Sequence, residues 1–248
     1  MADRKDVSPP HTRLIAKLEA IGRVTEAEKS ALADLPYRLR SFPENADLVR
    51  QGDKPPECCL IVEGFVCRYK LLGEGQRQIM SFHLPGDIPD LQSLHLRVMD
   101  HSLSALTPVT AAFIPHEALH ALTRAFPGIA ALFWRDTLID AAIFREWLAG
   151  VGRRTAKARI AHVICEVYLK LRAVHLADDG GFDLPITQVE LADALGLSPV
   201  HVNRVLQELR ADGLIVSKGR FVIISDWERL RAVGDFDASY LHFRSEAA

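Results

Sequence analysis

One stretch constrains the fold more than any other: "TQVELADALGLSPVHVNRVLQELRADGLIVSKGRFVIIS", residues 187–225. Leu191 and Leu195 give a first helix an apolar side, and Ala192 is small enough to let a second helix approach. Gly196 takes a left-handed turn at no steric cost. Ser198 then offers a side-chain oxygen to a helix N-terminus, and Pro199 is a first helical residue with its φ already set. Leu197, Val202 and Val205 complete a small core. Beyond it, "LIVSKGRFVIIS" reads as two strands turning at Lys218-Gly219, a wing. A generic capped helical hairpin would need neither the glycine turn nor the strands. The pattern is a winged helix-turn-helix.

The second helix of this unit has two distinct faces. Val200, Asn203, Arg204 and Gln207 share one, and Val202, Val205, Leu206 and Leu209 lie opposite. An apolar side that packs leaves a side that can read something else. The formal net charge is only −2, so any nucleic-acid footprint must be local. Residues 153–172 carry a net +5 and residues 198–220 a net +2, and both patches suit a DNA-binding surface.

Upstream, Leu14, Ile15, Leu18 and Ile21 follow a helical period, and Thr25 with Glu28 makes a capping box. From about 41 to 115 the runs "CCLIVEGFVCRYKLL", "RQIMSFHL" and "VTAAFIP" alternate with glycine and proline turns, as in a compact antiparallel barrel or jelly roll. A short helix is expected over 116–123. Pro127 then opens a long one bearing Ile129, Leu132, Phe133, Leu138, Ala142, Trp147, Leu148 and Val151. That is too much apolar surface for a solvated linker, so the helix is expected to pack on its own barrel and to pair with a second copy. "RRTAKARIAHVICEVYLKLRAV" supplies another long helix, and the polar "HLADDGGFD" precedes the winged unit. The expected fold class is α+β. Its parts are N-terminal helices and a barrel over 1–125, a dimerisation helix over 126–152 and a DNA-binding domain over 153–248.

A chain of 248 residues with 48% apolar content accommodates these units. The start has no signal-like apolar run and no 18-residue apolar stretch occurs, so a cytoplasmic protein with no membrane association is expected. The cysteines Cys58, Cys59, Cys67 and Cys165 have no C-x-x-C spacing. Cys58 and Cys59 should point to opposite sides of one strand. Burial is their expected state, with any redox role of Cys58, Cys59 or Cys67 left open.

With "ITQVELADALGLSPVHVNRVLQELRADGLI" and "KGRFVII" in place, the chain resembles the Crp–Fnr transcription regulators. The order of barrel, long helix and winged helix matches over nearly its whole length, with Gly52, Gly64, Gly75 and Gly86 at barrel turns. The resemblance implies a sequence-specific, homodimeric DNA-binding regulator, acting on a double-stranded operator with twofold symmetry and contacting RNA polymerase. It places Val200, Asn203 and Arg204 at base-facing positions, with Gln207 continuing their face. It places Thr187, Ser198, His201, Lys218 and Arg220 against the DNA backbone. The chemistry agrees: arginine pairs with guanine, asparagine with adenine, and valine methyls suit a thymine methyl.

Family members that bind cyclic AMP use a Gly-Glu-Leu turn and an Arg-Ser/Thr pair. Here the matching stretch is "PGDIPDLQSLHLRVMDHSLSALTP". Asp87 replaces the ribose-binding glutamate, His101-Ser102 or Leu103-Ser104 occupies the arginine region, and Arg97 is followed by no small or hydroxyl residue. A buried phosphate without a bidentate cation is poorly compensated, so cyclic-nucleotide independence is expected. No cysteine precedes 58, against the iron–sulfur branch. His83, His95, His101 and His116 give no case for haem over hydrogen-bonded histidine. No cofactor is therefore expected, and an unidentified small-molecule effector is left open. The competing class is a cupin-type metal enzyme or ligand-binding barrel. His83 and His95 invite it, yet no H-x-H occurs, and Asp87 and Asp90 suit turn caps better than ligands. With no nucleophile elbow, P-loop or dinucleotide fingerprint either, neither an enzyme nor a metal site is expected.

Overall fold

The computed structural model describes residues 9–179 and 181–244. The outermost residues of the first and last expected domains, and Gly180 of the polar loop, lie outside them. Helix α1 (Pro10–Ile21) buries Leu14, Leu18 and Ile21, and α2 (Glu26–Ala33) begins at the expected capping box of Thr25 and Glu28. Seven strands follow: β1 (Arg38–Phe42), β2 (Asp47–Val49), β3 (Glu57–Glu63), β4 (Val66–Leu71), β5 (Arg77–His83), β6 (Ser102–Ala105) and β7 (Val109–Pro115). They form two antiparallel sheets of order β1-β7-β3 and β2-β6-β4-β5, a jelly-roll-like barrel.

Alternation along β3 separates the adjacent thiols as expected. Cys59 enters the barrel interior with Ile61, Val66, Leu103 and Ala111, while Cys58 joins the core shared with the helices. All four cysteines are buried and free. Burial pushes the Cys67 and Cys165 thiols up to about 12 and raises those of Cys58 and Cys59 as well, so none is a poised thiolate.

After α3 (His116–Ala125), helix α4 (Pro127–Arg153) runs for 27 residues. Its apolar residues divide into two surfaces. Ile129, Leu132, Phe133, Ile139, Ala142, Ile143 and Trp147 are buried. Trp134 (66%), Leu138 (50%) and Leu148 (75%) stay exposed. No described helix is long and apolar enough to cross a membrane.

The C-terminal unit comprises α5 (Ala156–Ala173), β8 (Phe182–Asp183), α6 (Gln188–Leu195), α7 (Pro199–Ala211), β9 (Ile215–Lys218), β10 (Phe221–Ile224) and α8 (Trp227–Val233). The wing holds a third strand that the polar composition before the helices concealed: β8 pairs with β10, giving the order β8-β10-β9. Its turn also sits one residue later than expected. Lys218 pairs with Phe221, so Gly219 and Arg220 form the two-residue loop. Gly219 carries the positive φ (61°) at the first central position, and Arg220 needs none.

The winged unit packs on the barrel through β5. Arg77 Nε lies 2.8 Å from Asp193, and Gln78 donates to the Ala194 carbonyl at 3.2 Å. Lys170 of α5 donates to the Phe82 carbonyl at 2.8 Å.

Candidate nucleic-acid interface

The exposed side of the winged unit is built around two helix starts. Thr187 Oγ1 accepts the Glu190 N–H at 3.2 Å, and the Glu190 carboxylate accepts the Thr187 N–H at 2.6 Å. After its eight residues α6 stops at Gly196, whose φ of 64° and ψ of 42° turn the chain towards α7. Ser198 Oγ then accepts the His201 N–H at 3.2 Å. Thr187 and Ser198, expected at phosphates, are therefore helix caps first. Both are exposed, and each hydroxyl keeps its own O–H to donate to an anion at a helix N-terminus. His201 is half-buried, with its N–H already taken by Ser198.

Along α7 the two faces separate as expected. Val202, Val205 and Leu209 are buried. Val200 is 80% exposed. Arg204 reaches Glu208 only at 3.9 Å, and 66% of its side chain is open, so this screened pair does not hold the guanidinium back. Asn203 is half-buried and already engaged: Nδ2 donates to Gln188 Oε1 at 3.0 Å, and Oδ1 accepts from Gln207 Nε2 at 2.9 Å. Sequence reasoning missed Gln188, because its partner lies on the next helix and no periodicity links them. In the wing, Lys218 and Arg220 are exposed, and the Leu184 N–H donates to the Arg220 carbonyl at 2.8 Å. Arg210 Nη1 donates to Ser217 Oγ at 3.0 Å, tying the wing to α7.

The basic run 153–172 is not the open patch its charge suggested. Arg154 pairs with Glu146 and Asp235, and Lys157 with Asp212. Arg159 donates to the Arg154 and Leu195 carbonyls, Lys170 donates to that of Phe82, and Arg172 lies over Tyr168. Arg154, Lys157, Arg159 and Lys170 are thus spent inside the fold, while Arg153 and Arg172 stay exposed beside the cations of α7 and the wing.

On the barrel side, the residues considered as ligands serve the fold. Asp87 Oδ2 accepts the Leu84 N–H at 3.0 Å, which caps their turn, and Oδ1 lies 2.9 Å from Lys17 Nζ. Burial disfavours its charge, yet Lys17 and Lys170 outweigh that and hold the carboxyl well below the usual range. Asp90, by contrast, does not cap its turn as expected: its carboxylate accepts the Cys59 N–H of β3 at 2.9 Å, and burial lifts its carboxyl to about 7. His83 bonds Ser81 and faces Asp87, and His101 bonds Asp100 and Gln92. Burial, then the Arg68 charge, depresses both imidazoles to about 4. His116 bonds Ser93, and the His95 ring meets that of His120. Arg97 is exposed. Arg68, only 4% exposed, donates to Asp140 at 2.7 Å and to the Pro89 carbonyl at 2.6 Å. It borders a small cavity of about 70 Å³ with Leu91, Ile143 and Lys170.

Two family models match separate parts of the chain. Residues 158–233 match the model of the Crp-like helix-turn-helix domain, and residues 39–126 match that of the cyclic nucleotide-binding domain. The chain is 28% identical over 215 residues to the transcriptional activator protein FnrL of Cereibacter sphaeroides, covering 84% of each. It is 28% identical over 203 residues to the nitrogen fixation regulation protein FixK of Rhizobium meliloti, covering 80% of this chain and 88% of that protein. Among solved structures, FixK2 from Bradyrhizobium japonicum aligns with a TM-score of 0.72 at 25% identity, covering 80% of this chain and 98% of that one.

Proposed function

The chain belongs to the Crp–Fnr family of transcription regulators, and from that premise we propose that it works as a cytoplasmic homodimer on a twofold-symmetric DNA operator, without a cyclic nucleotide. The observation that carries this reading is the open polar face of α7, standing clear of its own packed side. In it, Arg204 pairs with guanine N7 and O6, Asn203 reads adenine, and Val200 lies against a thymine methyl. Gln207 extends the row. Thr187, Ser198, His201, Lys218 and Arg220 contact phosphates and set the register.

Dimerisation has its support on α4. Trp134, Leu138, Ala141 and Leu148 follow the spacing of a coiled-coil seam, and the three large ones are exposed. Two copies joined along this seam would present their α7 helices to half-sites about 34 Å apart. The activator names of the relatives support contact with RNA polymerase. Independence from cyclic nucleotides rests on Asp87, which is committed to its turn and to Lys17, and on Arg97, which lies out in solvent. The cavity beside Arg68 supports a different small-molecule effector.

Selection of bound DNA from a random pool, with and without cell metabolites, tests the whole reading. The expected product is a palindrome holding one guanine per half-site that depends on Arg204. A pool that returns no shared sequence would sink the proposal. Sedimentation of Leu138→Glu should show dissociation with parallel loss of operator binding. Cyclic AMP should leave the melting temperature unchanged, since a ligand that binds the native state must raise it.

A further inference from the structure

Three carboxamides form a continuous row across the two helices of the DNA-reading unit. Gln207 donates to Asn203, and Asn203 donates to Gln188. Gln207 sits one turn beyond Asn203 on the same helix. Gln188 is the first residue of α6, where the capping box of Thr187 and Glu190 sets the backbone. Burial of Val202 and Val205 sets that of α7. Both ends of the Gln188–Asn203 contact therefore stand on fixed backbone.

A carboxamide has two N–H donors on nitrogen and two lone pairs on oxygen. The row uses one of each on Asn203. One N–H and one lone pair remain, which is what an adenine edge needs for its N7 acceptor and N6 donor. That match depends on order. An asparagine alone on an exposed helix can rotate by half a turn and exchange its donor and acceptor ends. Within the row, rotating Asn203 by itself would set Oδ1 against Gln188 Oε1 and Nδ2 against Gln207 Nε2. Two hydrogen bonds would become two like contacts, so the amide reverses only if its neighbours reverse with it.

We propose that Gln188 is a positioning residue for base recognition, fixing the donor and acceptor ends of Asn203 and so setting the preference at the base pair Asn203 faces. This rests on Asn203 being a base-reading residue. Gln188 is exposed, so its substitution leaves the core intact.

The test uses the full-length protein, its selected operator and operator variants changed at the pair facing Asn203. Gln188→Ala should lower discrimination at that pair roughly two- to tenfold, the worth of one net hydrogen bond, and leave the guanine preference of Arg204 unchanged. Gln188→Glu keeps an acceptor for Asn203 Nδ2. It should keep discrimination while its charge weakens binding to every sequence alike. In an Asn203→Ala background, Gln188→Ala should change discrimination no further. Equal loss on all sequences with discrimination intact would make Gln188 a backbone contact and overturn the proposal. So would additive losses in the double variant. If Asn203→Ala itself leaves discrimination intact, the base-reading role of Asn203 fails first, and the positioning role falls with it.

Discussion

The turn at 84–90 in the barrel and the start of α7 are both rich in polar side chains that sequence reasoning singles out, yet they have opposite fates. Asp87 and Asp90 are buried; Asp87 spends both oxygens on its turn and on Lys17, while Asp90 bonds the Cys59 N–H through Oδ1 and leaves Oδ2 without a hydrogen-bond partner, in keeping with its raised carboxyl. Val200, Arg204 and Gln207 are exposed, and Arg204 has only one long, weak pairing. Burial separates the two regions. A charge taken out of water costs several kcal/mol unless it is paired, so the fold must use whatever polar groups it encloses. A side chain left in water carries no such debt and stays available to a partner.

The largest expected effect tests the enclosed side. Lys17 Nζ lies 2.9 Å from Asp87 and 2.8 Å from Asp136. Burial opposes its charge, but the two carboxylates outweigh that and keep it protonated beyond the usual range. Lys17→Met should leave two enclosed carboxylates facing each other and lower stability by about 3–5 kcal/mol in a denaturant titration. The bases selected by the folded protein should not change. Stability equal to that of the parent would mean that the cluster is solvated.

A pH series sharpens the same point. Asp90 has a raised carboxyl, about 7 against 3.8. Its stabilising contribution is therefore full below about pH 3.8 and is lost as pH rises through about 7. His83 and His101 act in the opposite sense. With imidazoles depressed from 6.5 to about 4, their contribution is full above pH 6.5 and is lost as pH falls through about 4. Asp90→Asn isolates the first term. Relative to the variant, the parent should lose a few kcal/mol between pH 4 and 7.5 (order of magnitude) and nothing more above that. Melting curves across the range measure the difference, and a constant offset would mean that Asp90 is ionised throughout.

The open side should respond in binding alone. Arg204→Ala should cost roughly 1–3 kcal/mol against the selected operator and relax preference at one guanine, with stability within about 0.5 kcal/mol of the parent. Equal losses on operator and random DNA would make Arg204 a phosphate contact. The smallest effect is that of Lys218→Ala, which should weaken binding to all sequences alike and reduce the salt slope by about 1. Titrations at several salt concentrations check it, and an unchanged slope would remove the wing lysine from the interface.

What was legible in the sequence is what local chemistry decides. The capping box at Thr25, the cap at Ser198 and the left-handed Gly196 each involve residues within four of one another. The placing of Cys58 and Cys59 in different cores, and of Val200 outside and Val202 inside, follows from the period of a strand and of a helix. Motif and order were enough for the family, because the winged unit is a short, contiguous segment.

Tertiary structure alone decided which enclosed charges meet. Lys17 is 70 residues from Asp87 and 119 from Asp136, and no spacing rule reaches that far. It decided that Leu138 faces water while Ile139 is packed, because neighbouring positions on an apolar helix differ only in what lies against them. It turned Arg154, Lys157, Arg159 and Lys170 into internal fasteners and joined Gln188 to Asn203 across two helices. The physical reason is common to all of these. Periodicity and caps are set by a residue and its nearest neighbours along the chain, whereas the partner of a buried charge or a half-buried amide is whichever group the crossing of distant segments brings within hydrogen-bonding reach.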